Sequence, residues 1–252
     1  MPDNWPSEQW PADEAVNRWW QEGFTEGADA EYEEQILPLA RLHLEGARRI
    51  LDVGTGEGQL ARLAAQAAPD GAAMERVTGV DPTAAQLAAA QSRGGGPNYA
   101  RAEAARLPFP GARFDAVVAC LVFEHIDDVD SAIAEVARVL EPGGRFLFFL
   151  NHPLLQAPGS GWVDDQILDE QYWRIGPYLI EDKTMEEVDK GVVLPFIHRP
   201  LSRYVNALAA NGLVVTRMEE PAPPPGFLDR ASEYAEAAAF PRLLFLRSER
   251  LG

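Results

Sequence analysis

A glycine-rich segment between a strand pattern and a helix pattern constrains this sequence more than any other feature. The segment, Asp52-Val-Gly-Thr-Gly-Glu-Gly58, follows the apolar run 49–53 and precedes a helical pattern over 58–68. In open α/β sheets ligands bind at the carboxyl ends of the strands, so this loop lies where a nucleotide-like ligand is held. Its glycines let the backbone approach that ligand closely, and the free N–H groups of the following helix attract an anionic group.

The same alternation of strand and helix patterns continues along the chain. Strand patterns lie at 76–80, 114–120, 145–150, 213–218 and 243–247, and helix patterns at 83–92, 128–140 and 200–210. Thr83 is predicted to cap the second helix, and Pro142-Gly143-Gly144 to end the third. Alternation of this kind predicts a doubly wound α/β fold with helices on both faces of a mainly parallel sheet. Because 46% of the 252 residues are apolar, one domain over 1–252 can bury a full core.

Two segments depart from this alternation. Residues 153–197 contain nine acidic and five scattered aromatic side chains. We predict that they form a lid inserted after the fifth strand, since so short a segment makes a poor independent core. The aromatic side chains form either the lid's own core or an apolar substrate pocket. Residues 1–44 are predicted to form a helical cap, with Trp19, Trp20 and Phe24 packing onto the domain or over its site.

The charge balance argues against a nucleic-acid partner. The formal net charge is −17, and this field would repel a phosphate backbone. The apolar runs are far too short to span a membrane, and residues 1–20 lack the basic start and apolar stretch of a signal peptide. With Cys120 as the one cysteine, we expect neither a disulfide framework nor a metal site. The expected location is cytoplasmic.

The spacing of the loop discriminates between nucleotide-like ligands. A dinucleotide fingerprint requires Gly or Ala where Gln59 stands, and a phosphate-binding loop requires a lysine that this loop lacks. Asp52 and Glu57 place negative charge in the loop, which suits a ligand with a cationic amino group. Asp81, at the end of the second strand pattern, can accept hydrogen bonds from both hydroxyls of a ribose. S-adenosylmethionine carries an ammonium, a carboxylate and a sulfonium, and therefore matches this loop better than a nicotinamide dinucleotide does.

Five stretches of the sequence resemble motifs of a known family. Ile50-Leu-Asp-Val-Gly-Thr-Gly-Glu-Gly58 and Gly79-Val-Asp81 resemble the first two motifs of the class I S-adenosylmethionine-dependent methyltransferases. Glu103-Ala-Ala-Arg-Leu-Pro-Phe109 resembles a later segment of that family. Leu121-Val-Phe-Glu-His-Ile126 and Leu140-Glu-Pro-Gly-Gly144 resemble the segments around its fourth strand.

The resemblance covers residues 48–152 and is closest to the small-molecule branch that includes quinone-biosynthesis C-methyltransferases. It implies a Rossmann-like, seven-stranded and mostly parallel sheet whose last strand is antiparallel. It also implies in-line transfer of a methyl group from S-adenosylmethionine to a small-molecule acceptor.

The resemblance assigns one group of residues to the methionine end of the cofactor. Gly54, Gly56 and the adjoining backbone would hold that end, with Asp52 nearby. The backbone of Cys120 and Leu121 would border the methionine amine.

A second group of residues would hold the nucleoside. Asp81 would bind the ribose, and Pro82 would lie against the adenine ring. Glu103 would accept a hydrogen bond from the adenine amino group, while the Ala104 N–H donates to a ring nitrogen. Family members more often carry Asp where this chain has Glu103.

Three histidines are candidates for the chemistry itself. Alignment supplies much of the rate of methyl transfer, and a base acts only where the acceptor must lose a proton. His152 directly follows the fifth strand pattern, and we predict that it is the catalytic base; the alternative is that it anchors the start of the lid. His125 and His198 are expected to be structural or to line a pocket.

Two other functions remain open at this level. A catalytically silent S-adenosylmethionine-binding protein would carry the same motifs, because binding and turnover share them. A nicotinamide-dependent oxidoreductase is disfavoured by Gln59. The sequence leaves open the acceptor atom, whether oxygen, nitrogen or carbon, and the oligomeric state.

Overall fold

A computed structural model describes residues 14–24, 28–66, 76–231, 234 and 236–252 of the chain. Within them the strands are β1 (Arg49–Val53), β2 (Arg76–Asp81), β3 (Asn98–Arg101), β4 (Phe114–Cys120), β5 (Leu140–Asn151), β6 (Gly161–Asp165), β7 (Glu170–Arg174), β8 (Asp182–Asp189), β9 (Val192–His198), β10 (Leu213–Glu219) and β11 (Leu243–Arg250). The helices are α1 (Glu14–Gly23), α2 (Leu37–Leu44), α3 (Gln59–Gln66), α4 (Ala84–Arg93), α5 (Val129–Val139), α6 (Pro153–Gln156), α7 (Leu201–Ala210) and α8 (Pro225–Leu228). A π-helical segment (Tyr32–Ile36) leads into α2, and short 3-10 turns lie at Phe123–His125 and Ala237–Ala239.

Seven of the strands form one sheet in the order β3-β2-β1-β4-β5-β11-β10. Neighbouring strands from β3 to β5 run parallel, whereas β11 is antiparallel to both β5 and β10. The chain starts in the middle of the sheet, moves outwards to β3 and returns to place β4 beside β1. A reversal of this kind opens a crevice at the strand ends, where such sheets bind ligands. The predicted doubly wound, mostly parallel, seven-stranded α/β fold is confirmed.

Side chains from alternate positions of the central strands pack into two apolar layers, one on each face of the sheet. On one face Val117 and Phe148 pack with residues of α5 and α7. On the other face Val118 and Phe149 pack with residues of α2 and α3. Because helices cover both faces, β4 and the second half of β5 read as nearly continuous apolar runs in the sequence.

The parallel register brings the carboxyl ends of four strands to one edge of the sheet. Val53 of β1 pairs with Val80 of β2 and with Ala119 of β4, and Cys120 of β4 pairs with Phe149 of β5. The glycine loop, the end of β2 and the segments that follow β4 and β5 therefore open onto the same crevice.

The strand β3 has no counterpart among the sequence patterns. It contains four residues, all of them partly or fully exposed, and it follows Gly94-Gly95-Gly96. A strand this short shows no periodicity, so its pairing with residues 78–81 of β2 is what defines it. The last two strands, β10 and β11, pair antiparallel although a long connection, and not a tight hairpin, joins them, and β11 is antiparallel as the family resemblance implies.

Two helix boundaries differ from the prediction for identifiable reasons. Thr83 precedes α4, but its side chain makes no capping hydrogen bond. Helix α5 ends at Val139, before Pro142-Gly143-Gly144, because Leu140 already pairs with Phe114 of β4. The Pro-Gly-Gly sequence therefore interrupts β5 instead of ending the helix. Helix α3 ends at Gln66, and positions 67 and 68 of its predicted range lie outside the described residues.

The segment 153–197 folds into α6 and two antiparallel hairpins, β6–β7 and β8–β9. Three of its aromatic side chains have different surroundings. Trp162 and Trp173 face each other across β6–β7, with ring centroids 5.6 Å apart, and pack on Phe240. Phe196 of β9 instead contacts His125, at 4.6 Å between ring centroids. Movement of this segment as a lid stays a prediction.

The predicted N-terminal cap is described at residues 14–24 and 28–44, while residues 1–13 and 25–27 lie outside the described residues. Helix α1 packs on β9 through a small apolar cluster of Val16, Val192 and Leu194. Within the described ranges, none of the helices is both long and apolar enough to span a bilayer.

Candidate active site

The glycine loop (residues 52–58) makes a tight turn between β1 and α3. Its backbone is tied to β2, because the N–H groups of Gly54 and Thr55 both donate to Val80 O, at 2.8 and 2.9 Å. Gly54 has a φ of +71°, and a Cβ at this position would overlap the Val122 side chain. Only glycine adopts this positive φ readily and leaves space for the Val122 side chain. This tight packing and the two hydrogen bonds to Val80 O hold the loop in place at the carboxyl end of β1.

Asp81, the last residue of β2, braces the loop from the other side. Its Oδ2 accepts a hydrogen bond from the Gly56 N–H at 3.0 Å, and its Oδ1 accepts one from the Thr83 N–H at 2.8 Å. Burial raises the pKa of Asp81 above its ordinary value. A carboxylate offers about four acceptor sites, so each oxygen of Asp81 keeps capacity for a ligand hydroxyl.

The two acidic residues of the loop have different surroundings. Asp52 is buried, accepts a hydrogen bond from Thr55 Oγ1 at 2.6 Å, and has its pKa raised by burial to about 7. Glu57 instead forms ion pairs with Arg62 at 2.8 Å and Arg93 at 2.6 Å. The expectation that both acids attract a cationic ligand is therefore wrong for Glu57, whose charge is balanced by two arginines.

The residues predicted for the nucleoside follow β2 and β3. The Pro82 carbonyl accepts a hydrogen bond from Arg101 Nε at 2.7 Å, and the Ala102 N–H donates to Asp81 O at 3.2 Å. Glu103 is exposed and Ala104 is partly buried. The turn that carries Glu103 and Ala104 follows Ala102, whose N–H contacts Asp81 O. The residues predicted to hold the nucleoside therefore lie at one corner of the crevice.

The segment that follows β4 contains an unusual backbone conformation. Leu121 has a φ of +53°, which is uncommon outside glycine and often accompanies functional sites. Its N–H donates to Phe149 O at 3.0 Å, so neighbouring β5 supports the turn. Cys120 is buried, and burial raises the pKa of its thiol well above the ordinary range. It is a packed side chain rather than a nucleophile.

A cavity of about 220 Å³ lies beyond Leu121, and we call it the aromatic cavity. Its walls are formed by Trp19, Trp20, Phe24, Asp29, Glu31, Ile36, Leu121, Asn151, Gln156, Phe196, Arg242 and Leu243. The rings of Trp19, Trp20 and Phe24 pack on one another with centroids 4.8–5.1 Å apart. Trp19 and Trp20 also pack on the apolar cluster of Val16, Val192 and Leu194, so they contact the domain as well as the cavity.

Asn151, the last residue of β5, contacts a buried carboxyl group. Glu124 Oε1 accepts hydrogen bonds from the Asn151 N–H at 2.6 Å and from Asn151 Nδ2 at 3.1 Å. Glu124 is 4% exposed, and burial raises its pKa to about 7. The pair therefore joins the turn after β4 to the end of β5, at the wall of the aromatic cavity.

Both ring nitrogens of His152 have partners within the protein. Nε2 lies 2.7 Å from Glu220 Oε1, and Nδ1 accepts a hydrogen bond from the Leu154 N–H at 3.2 Å, which caps α6. The residue is buried and is not part of the wall of the aromatic cavity. The proposed base function stays a prediction, and it requires two changes: Nε2 must exchange Glu220 for the acceptor, and the proton must move to Nδ1, which then gives up the Leu154 N–H.

The other two histidines are held by backbone carbonyls. His125 Nδ1 contacts Pro195 O at 2.7 Å, and burial lowers the pKa of His125 to about 4, so the ring is neutral at physiological pH. His198 Nε2 contacts Tyr178 O at 2.8 Å. Both contacts agree with structural roles. Among the described residues, no group of three His, Cys, Asp or Glu side chains is arranged to hold a metal ion.

Glu124 and Asn151 were not identified from the sequence as site residues. A signal was present, because each lies directly at or after the end of a strand on the ligand-binding edge. Asn151 immediately precedes His152, which was singled out for the same reason. The sequence shows that a residue at a strand end is polar, but it does not show which residue will be its hydrogen-bond partner. Glu124 and Asn151 are 27 positions apart in the chain.

Comparisons with known proteins agree with this geometry. Residues 51–148 match the family model described as a methyltransferase domain. A demethylmenaquinone methyltransferase of Thermus thermophilus is 40% identical over 126 residues, covering 48% of this chain and 54% of that protein. The ubiquinone/menaquinone biosynthesis C-methyltransferase UbiE of Methylobacterium nodulans is 35% identical over 136 residues, covering 52% and 51%. The chain thus spans about half the length of the curated relatives it matches.

Among solved structures, an S-adenosylmethionine-dependent methyltransferase from Mesorhizobium loti superposes with a TM-score of 0.72 at 29% identity, covering 88% of this chain and 98% of that one. Together with the doubly wound sheet and the glycine loop, these similarities identify residues 51–148 as a methyltransferase domain of the class I, S-adenosylmethionine-dependent type. Its matching segment is similar to that of quinone-biosynthesis methyltransferases. The cofactor predicted from the loop, S-adenosylmethionine, is confirmed.

Proposed function

We propose that this chain transfers the methyl group of S-adenosylmethionine to a small organic acceptor bound in the aromatic cavity. The observation that carries the proposal is the position of this cavity directly beside Leu121, at the strand ends where the methionine end of the cofactor is expected. An acceptor there would lie against the same crevice as the glycine loop.

The surroundings of Asp52 fit the methionine end. Asp52 is a buried acid, and in the described part of the chain no lysine or arginine forms an ion pair with it. A ligand ammonium beside it would stabilise its ionised form, because an opposite charge favours ionisation. Gly56 has open space where a side chain would stand, which leaves room for the ligand, whereas Gly54 lets the loop pack against Val122.

The corner formed by β2 and β3 fits the nucleoside. Asp81 has acceptor capacity left on both carboxylate oxygens, which suits the two ribose hydroxyls. Pro82 offers an apolar surface to the adenine ring. Glu103 and the Ala104 N–H offer an acceptor and a donor for the edge of that ring, in the pattern that the family resemblance implies.

The bound cofactor supplies a methyl group on a sulfonium, which needs no further activation. The protein's contribution is to align an acceptor, to exclude water and to manage a proton where the acceptor must lose one. The packed rings of Trp19, Trp20 and Phe24 would align the acceptor and exclude water by forming an apolar wall. His152 is proposed as the proton acceptor, in competition with its contact to Glu220.

The cavity also indicates the size of the acceptor. Its volume of about 220 Å³ lies below the roughly 300–1,000 Å³ of typical ligand pockets, and four of its twelve described wall side chains are aromatic while five are polar or charged. We therefore propose a small, flat acceptor that carries at least one polar group. A relative whose name specifies demethylmenaquinone supports an acceptor with a conjugated ring.

The proposal is tested with the purified full chain in two steps. Calorimetry measures S-adenosylmethionine binding, with Asp81→Ala as the weakened control. The protein is then incubated with cofactor carrying a deuterated methyl group and a panel of phenols, quinols and amines, and mass spectrometry detects labelled products. We expect binding and label transfer to at least one ring compound. Binding without any transfer would support a silent binding protein instead, and absence of binding would overturn the proposal.

A further inference from the structure

Asn151 presents the two ends of its side-chain amide to different surroundings. Nδ2 faces inwards to Glu124 Oε1, while the residue itself forms part of the wall of the aromatic cavity. Its backbone is fixed on both sides, because Leu243 pairs with Asn151 across β11 and the following His152 N–H donates to Arg242 O at 2.7 Å. The side chain therefore stands on a rigid support.

The orientation of this amide follows from the hydrogen bonds of Glu124. The Asn151 backbone N–H donates to Oε1 at 2.6 Å, so Oε1 must be an acceptor whether Glu124 is ionised or neutral. A proton on a neutral Glu124 would lie on Oε2. The side-chain atom next to Oε1 must then be the donor Nδ2, which leaves Oδ1 as the acceptor that Asn151, a wall residue of the cavity, can offer to a ligand. In the described part of the chain, nothing donates a hydrogen bond to Asn151 Oδ1.

We infer that Asn151 determines which acceptor the enzyme binds, by accepting a hydrogen bond through Oδ1 from a hydroxyl or N–H group on the acceptor. Glu124 is a positioning residue that prevents the amide from flipping. The inference rests on one part of the proposed function, namely that the acceptor binds in the aromatic cavity. It narrows the substrate class to ring compounds that carry a hydrogen-bond donor, because an analogue without one leaves Oδ1 without a hydrogen-bond partner when it displaces water from the cavity.

The test uses two probes of nearly equal shape, 1-naphthol and 1-methylnaphthalene, of which only the first carries a donor. Their dissociation constants are measured by ligand-observed NMR with the full chain saturated with S-adenosylhomocysteine. One neutral hydrogen bond predicts about a fivefold preference for 1-naphthol in the wild type. In Asn151→Leu the preference should vanish, whereas the same change at the exposed Asn206, Asn206→Leu, should preserve it.

Two variants of Glu124 separate positioning from other roles. In Glu124→Gln the amide oxygen can still accept from Asn151, so the preference for 1-naphthol should remain. In Glu124→Leu the amide of Asn151 is free to rotate, and the preference should fall towards onefold. Thermal unfolding checks that each variant is folded.

Failure of 1-naphthol to bind, equal affinities of the two probes in the wild type, or an unchanged preference in Asn151→Leu would overturn the inference. A lost preference in Glu124→Gln would overturn the positioning role. Calorimetry of S-adenosylmethionine on the same samples keeps the two proposals apart, since an intact cofactor site with no probe preference contradicts only this inference.

Discussion

The Gly56 N–H and Asp81 Oδ2 form a hydrogen bond of 3.0 Å that joins the glycine loop after β1 to the end of β2. The same carboxylate also accepts the Thr83 N–H at the start of α4. Asp81 thus orients the loop while keeping acceptor capacity for a ligand. The cofactor site is consequently organised before the ligand arrives, which lowers the ordering cost of binding.

Removal of this carboxylate should weaken cofactor binding. Asp81→Ala is expected to cost about 1.5–3 kcal/mol, the usual contribution of hydrogen bonds to a charged group, or about ten- to a hundredfold in dissociation constant. Isothermal calorimetry with S-adenosylmethionine measures the change, and Asp229→Ala, at an exposed position, is the matched control. Unchanged affinity in a folded Asp81→Ala variant would remove the ribose assignment.

Binding of S-adenosylmethionine should release protons near neutral pH. Burial raises the pKa of Asp52 to about 7, so much of the ligand-free protein carries a proton there at pH 7. The ligand ammonium favours the ionised form and lowers that pKa, so affinity should rise as pH increases from about 6 to 8. Calorimetry in two buffers with different ionisation enthalpies measures the released protons. Asp52→Asn should abolish most of this release; equal release in the variant would assign it to another group.

The base function proposed for His152 predicts a loss of turnover when His152 is replaced and no loss when its partner Glu220 is replaced. His152→Gln should lower turnover by about 10²–10⁴-fold and leave cofactor affinity near the wild-type value. Glu220→Gln should not lower turnover, because it weakens the contact that holds His152 Nε2. The readouts are steady-state rates, calorimetry and thermal unfolding. A drop of only a few fold in His152→Gln, together with a lower melting temperature, would assign the residue to capping of α6.

The insertion at 153–197 should become more protected when the site is filled, because lids close over reactants to exclude water. Its β8–β9 hairpin is tied to the turn after β4 by Pro195 O, which contacts His125, and by Lys183, which pairs with Asp127 at 2.6 Å. We expect slower amide hydrogen exchange in this segment with S-adenosylhomocysteine and 1-naphthol bound. Mass spectrometry of peptides from 153–197 measures it, with peptides from α5 as the internal reference. Equal exchange in both states would identify a fixed element.

The sequence alone determined the fold class and the cofactor, because the features that carry them are local. A strand, a G-x-G-x-G turn and a helix lie within 49–66, and their spacing disfavours a dinucleotide loop without any knowledge of distant contacts. The alternation of strand and helix patterns then predicted the sheet. Where the local signal was weak the prediction failed: β3 is too short for periodicity, and Leu140 leaves α5 early because it pairs with β4.

Only the tertiary structure decided which polar groups remain available to a ligand. Glu57 resembles Asp52 in the sequence, yet Arg93, which is 36 positions away, joins Arg62 in balancing its charge. His152 meets Glu220 across 68 positions, and Asn151 meets Glu124 across 27. The physical reason is that hydrogen bonding and burial depend on partners that the folded sheet brings together, whereas residue type and spacing record only what each side chain is able to do.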